Sequence, residues 1–321
     1  SHSVASRSSV EGVMHLGVMW CLSILLGGSI LSGASLLFSR EDAVQGCRAL
    51  FGGLPCSLLR LASPAPRAVS ALRGRSHTDV KVLNRLAHVY VPAGAAPTGG
   101  IPAVVVLHGS YSSPKDMFGL GFEPLADEHG FLVVYPEMQV PSSEEWGYAD
   151  DIPFMTALVG KLQKDLGADP ARIFVCGHSA GGTMSLFLQN EVAIFAAGAA
   201  VEAGVGHLAQ WTMGKRGNRT MVIWNHKDPV LAEYGGEDLY RRTLHTLRRH
   251  GSVKPPPAEH LPIGGHVVSA KLQRYPEDGS PELWDLSWRS SPGTHDWPLG
   301  AGGLDGAQQL VSFFFNRSFS A

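Results

Sequence analysis

Ser179 sits in Gly177-His178-Ser179-Ala180-Gly181, and this stretch holds the residues whose types and spacing could do covalent chemistry. The run before it, residues 173–176, is apolar and β-rich like a fully buried strand. The run after it places Met184, Phe187 and Leu188 at helical spacing. A strand that turns into a helix within so few residues needs glycine on both flanks, because a Cβ there would collide with neighbouring chain. Such a turn lifts the Ser179 hydroxyl above the strand end. The helix beginning just beyond it aims backbone N–H groups and a positive dipole end at any oxyanion formed there. A serine in an ordinary tight turn would share the pentapeptide; the strand before and the helix after favour the nucleophile.

A lone serine hydroxyl is a weak nucleophile and needs a base within hydrogen-bond reach, oriented in turn by a third group. In open α/β sheets such groups come from loops at the carboxyl ends of strands. Asp228 is placed that way, in the loop after the apolar run 220–224. Among 14 histidines, His295 stands out, since it follows the strand-like run 283–288 and precedes a final apolar helix over 308–315. The order Ser179, Asp228, His295 is that of α/β-hydrolases. His266 competes as base, but it precedes its strand and is expected at the opposite sheet edge. Asp238 and Asp296 compete as acid, one in a helix and the other adjacent to the proposed base. His178 is expected to pack beside the nucleophile. His245, His250 and His260 show no metal-ligand spacing, and no GxGxxG or phosphate loop accompanies the strands, so neither a metal nor a cofactor is implied.

With 321 residues, 44% hydrophobic and 17% charged, the chain is long enough for one ordinary domain and additional material. A net charge of -2 leaves no electrostatic footprint for nucleic acid. Cysteines at 21, 47, 56 and 176 are too few for a disulfide scaffold; Cys176 reads as a small buried hydrophobe, and pairing of Cys47 with Cys56 stays open. Residues 17–38 carry no charge and are long enough to span a bilayer. Small residues at 32–35 would also suit a signal peptidase, with Met14 as a plausible start, so cleaved signal and membrane anchor both stand. Residues 43–78 contain no acid but carry Arg48, Arg60, Arg67, Arg73 and Arg75. They read as a linker, or, by resemblance, as part of the two-part targeting leaders of algae with complex plastids. Flanking arginines lean toward a cytoplasmic C-terminal side, whereas glycosylation acceptors at Asn218 and Asn316 would matter in the secretory lumen. The expected division is a signal or anchor segment over 1–42, a linker or targeting segment over 43–78, and a catalytic domain over 79–321.

Within that domain, 86–91 reads as the first strand and 101–107 as a second, with a helix near 123–128 and a strand at 131–135. Phe154, Leu158, Leu162 and Leu166 mark one face of a helix that Asp169-Pro170 is expected to end. After the Ser179 turn, 195–201 and 220–224 are further strands. Strands alternating with helices predict an α/β fold with a mostly parallel central sheet covered on both faces.

The sequence resembles the α/β-hydrolase esterases grouped with polyhydroxybutyrate depolymerases, feruloyl esterases and acetyl xylan esterases. The matching segments are VVVLHGS at 104–110, LADEHGFLVVYPE at 125–137, ADPARIFVCGHSAGG at 168–182, FAAGAAVEAG at 195–204, the Asp228 loop and THDWPLG at 294–300. The resemblance implies nucleophile Ser179, acid Asp228 and base His295, with oxyanion donors at the backbone N–H of Ser110 and Ala180. It places Tyr111, Trp146, His178 and Trp297 around the substrate, and gives Asp150 and Asp151 structural roles. The implied activity is hydrolysis of small-molecule or polymeric carboxylic esters. The family's cysteine pairs do not match, and 231–268 is longer and more polar than the pattern, as a cap over the site would be. A peptidase or acyltransferase would use the same three groups. A non-catalytic protein on this fold, anchored through 17–38, is the reading from another class.

Overall fold

The computed structural model describes residues 76–94, 99–141, 143–205, 219–248, 256–275, 282–300 and 304–315. The apolar run 17–38, nearly all of the arginine-bearing segment, Asn218, Asn316, Cys21, Cys47 and Cys56 lie outside them. The chain divides into Ser1–Ser63 and Pro64–Ala321, and every described residue belongs to the second unit.

A ten-stranded sheet runs in the order β1-β2-β4-β3-β5-β6-β7-β10-β9-β8. Its strands are β1 (Ser76–Val82), β2 (Arg85–Val91), β3 (Ile101–Leu107), β4 (Leu132–Pro136), β5 (Ala168–His178), β6 (Ala197–Val201), β7 (Arg219–Asn225), β8 (Glu259–His260), β9 (Val267–Tyr275) and β10 (Leu283–Ser290). Strands β4, β3, β5, β6, β7 and β10 are parallel to their neighbours, while β1, β2, β9 and β8 close the two edges antiparallel. The helices are α1 (Phe122–His129), α2 (Tyr148–Leu166), α3 (Ala180–Glu191), α4 (Pro229–Glu233), α5 (Gly236–Leu247) and α6 (Gly306–Phe315).

The parallel strands are continuous apolar runs because both faces are covered. Alternate residues point to opposite sides. Val105, Leu107 and Val175 join Leu158 and Leu162 of α2, Met184 and Leu188 of α3 and Leu239 of α5 in one core. Val104, Val106, Phe174 and Cys176 join Phe122 of α1 and Leu310 and Phe313 of α6 in the other. Cys176 is free and fully buried, and burial pushes its thiol well above the ordinary range, so it packs as a hydrophobe.

Three sequence expectations need correction. The strand at 86–91 is the second, because Ser76–Val82 pairs with it through a two-residue turn at Leu83 and Asn84, both at positive φ (46° and 65°). Asp169-Pro170 does not follow the helix as a stop: α2 ends at Gly167 (φ 69°), and Pro170 lies inside β5 where pairing to β3 shifts register between Ile101 and Ala103. The stretch read as a cap contributes α5 to the sheet's covering layer, burying Leu239, Tyr240, Thr243 and Leu247.

Candidate active site

Ser179 stands between β5 and α3 at φ 53° and ψ -123°, a left-handed backbone that turns strand into helix in one residue. The flanking glycines are required by space. A Cβ on Gly177 would lie 2.5 Å from the Gly181 carbonyl, and one on Gly181 would lie 2.4 Å from Leu107 O. The Ser179 N–H donates to Val201 O at 2.9 Å, which pins the elbow to the end of β6. Ala180 is the first residue of α3, so its N–H is among those left without an intrahelical acceptor.

The loop after β3 runs directly against this elbow. A Cβ on Gly109 would sit 3.3 Å from Ser179 Cβ. Tyr111, at φ 55°, spends its N–H on Ser143 O at 2.9 Å, leaving Ser110 as the donor position implied by the resemblance. Tyr111 itself is 70% exposed. Trp146 is placed differently from a cleft residue: it is 3% exposed, its Nε1 donates to His108 O at 3.0 Å, and its ring lies 5.1 Å from that of His108. It props the loop from beneath.

Asp228 follows β7 as the N-cap of α4. Its Oδ1 accepts from the N–H groups of Val230 (2.8 Å) and Leu231 (3.0 Å), and its Oδ2 lies 2.5 Å from His295 Nδ1. Burial pushes the Asp228 carboxyl up, but hydrogen bonds from His295, Glu202 and Leu231 outweigh it and hold the group below the usual range. His295 follows β10, on a loop tied back by Asn225 Nδ2, which donates to Thr294 O at 2.9 Å. The His178 ring packs 4.8 Å from that of His295 and 6.5 Å from Trp297. Burial, then the neighbouring His295, lowers His178 to about 3, so it is a neutral wall at working pH. Trp297 is buried and packs edge-on against Phe122 at 5.7 Å.

His266 is not at the far edge of the sheet. Because β9 runs antiparallel to β10, with Val267 opposite Ser290, its first residues lie beside the carboxyl ends of the parallel strands. Its ring nonetheless packs on Trp288 at 5.8 Å, while His295 holds the aspartate. Asp238 lies on α5, where it pairs with Arg241. Asp151 is fully buried, paired with Arg85, and accepts from Gly147 N at 2.6 Å, a structural position.

Sequence reasoning missed Glu202. It follows β6 directly and is fully buried at φ 50°, on the same side as Asp228. The only signal was an acid at the carboxyl end of an otherwise small, apolar strand in FAAGAAVEAG. Ligand atoms of Glu202, Asp228 and His295 lie within 4.8 Å of one another. Both oxygens of each acid already accept or share hydrogen bonds, so the cluster fits a hydrogen-bond relay better than a cation.

The decisive comparison is structural. An acetyl xylan esterase from Aspergillus awamori matches with a TM-score of 0.55 over 75% of this chain and 99% of that one, at 15% identity. The chain is built on the α/β-hydrolase fold. No family model matches the chain. By sequence it is similar to feruloyl esterase B of Neurospora crassa, 30% identical over 166 residues, which is 48% of this chain and 56% of that protein. It is also similar to a poly(3-hydroxybutyrate) depolymerase of Ralstonia pickettii, 28% identical over 182 residues, 50% of this chain and 37% of the other. The chain thus spans at most a little over half the length of these curated relatives. The resemblance read from the sequence is to this same group of esterases.

Proposed function

We propose that this α/β-hydrolase is a serine esterase that cleaves carboxylic esters through an acyl-enzyme. The observation that carries the reading is the 2.5 Å pairing of His295 Nδ1 with the buried Asp228, packed against the serine elbow through the His178 ring 4.8 Å from that of His295. That pairing occupies Nδ1 and leaves Nε2 as the nitrogen that can take a proton. His295 removes the Ser179 proton as the hydroxyl attacks the ester carbonyl; Asp228 fixes the tautomer and stabilises the imidazolium. The N–H groups of Ser110 and Ala180 receive the oxyanion, a contribution of about 3 kcal/mol per donor in comparable sites. His295 returns the proton to the leaving alcohol, and water activated by the same ring releases the acid.

The relatives' names support acetyl, feruloyl or hydroxyalkanoate esters as the substrate class, small or polymeric. An apolar run over 17–38 goes with an esterase of the secretory pathway. The experiment is a panel of acetyl, butyryl, feruloyl and 3-hydroxybutyrate esters assayed with the full chain. Turnover of at least one class supports the reading; no turnover of any, with the protein folded, overturns it.

A further inference from the structure

Three elements converge behind the His295–Asp228 pair, and one side chain joins them. Glu202 Oε1 accepts from Trp288 Nε1 of β10 at 2.8 Å, and Oε2 accepts from the Asn225 N–H at the end of β7 at 3.1 Å. Oxygens of the same carboxyl and of Asp228 lie within 4.8 Å of one another and of His295. Two carboxyl groups this close hold one proton between them, because two adjacent like charges out of water repel strongly. Asp228 has the stronger claim to the charge, since it also takes two backbone N–H groups and His295. Glu202 is fully buried and accepts from two N–H groups but from no cationic partner; burial, then its neighbour Asp228, raises it well above the ordinary carboxylate range. The proton therefore resides on Glu202. A non-glycine residue at φ 50° costs on the order of 1 kcal/mol, and its N–H donates to Ile223 O at 2.9 Å, so the strand end is held in this conformation.

Given the esterase reading on which this rests, we infer that Glu202 is a positioning residue, a neutral carboxylic acid that donates to Asp228 and thereby fixes both the aspartate's orientation and its pull on His295. The groups that face His295 and Asp228 are Glu202, His178 and the α4 amides. Without the Glu202 donor, the charge on Asp228 binds the imidazolium more firmly, and His295 becomes a base that loses its proton less readily. The acid limb of the kcat/KM profile then moves to higher pH. Glutamine can still donate to Asp228 and accept from Trp288, so it preserves the arrangement; leucine cannot.

The test uses the full chain, an ester the wild type turns over, and pH profiles of wild type, Glu202→Gln and Glu202→Leu, with thermal midpoints to confirm folding. The expected result is Glu202→Gln within about threefold of wild type with the same acid limb. Glu202→Leu should fall by about tenfold or more in kcat, with KM little changed and the limb displaced upward. Folded Glu202→Leu with the wild-type kcat and limb would overturn the inference, as would a Glu202→Gln limb displaced downward, which marks the native group as ionised. If the leucine variant does not fold, the glutamine limb alone decides. Absence of turnover in the wild type would instead sink the esterase reading itself.

Discussion

His295 Nδ1 lies 2.5 Å from Asp228 Oδ2, although 67 residues of chain separate them. The contact exists because β7 and β10 are parallel neighbours in the sheet, with Ser287 in register with Trp224, so the loops that leave them emerge side by side. This pairing gives the first prediction. Asp228→Asn keeps the shape but presents an amide that can donate to Nδ1 and favour the wrong tautomer. The expected loss in kcat is about 10³- to 10⁴-fold with KM little changed, read by steady-state kinetics on an active ester. A loss below tenfold would mean that another acid orients the base.

Trp146 supports the loop after β3, which bears the proposed oxyanion donor Ser110, through its bond to His108 O. Trp146→Phe leaves that buried carbonyl without its donor and lets the loop bearing Ser110 relax. We predict a stability loss of about 1–3 kcal/mol by denaturant titration. A fall in kcat should accompany it and exceed any change in KM. An unaltered kcat in a destabilised variant would remove the loop from the catalytic account.

Asp285 gives a prediction about pH and stability. It is buried on β10 beside α5 and accepts from the Tyr240 hydroxyl at 2.7 Å. Burial raises it to about 6 from an ordinary 3.8. The folded state therefore binds this proton more tightly than the unfolded state. The associated stability is present below about pH 4 and lost as pH rises to about 6, a change on the order of 3 kcal/mol. Asp285→Asn should gain on wild type by a comparable amount between pH 4 and pH 8, measured by calorimetry. A difference between the two proteins that stays constant with pH would contradict the assignment.

The sheet's centre was legible because its strands are buried on both faces and therefore uniformly apolar. The edge strand β1 was not, since Ser76–Val82 alternates exposed and buried residues and reads as polar loop. Pro170 misled for a related reason: it falls at a register shift, where the ladder does not need its missing N–H. Ser179, Asp228 and His295 could be proposed because each follows a recognisable strand. Glu202 satisfied the same rule, but one strand offers one position and nothing in the sequence said that β6 would supply a second acid. His266 was sent to the wrong edge because the antiparallel direction of β9 follows from pairing, which local sequence does not encode.

Reaction of the full chain with a fluorophosphonate probe, followed by peptide mass analysis, tests the nucleophile most directly. The account predicts a single adduct on Ser179 in the wild type, and neither adduct nor p-nitrophenyl acetate turnover in folded Ser179→Ala. An unlabelled wild type, or a Ser179→Ala variant that hydrolyses the ester at the wild-type rate, would contradict it.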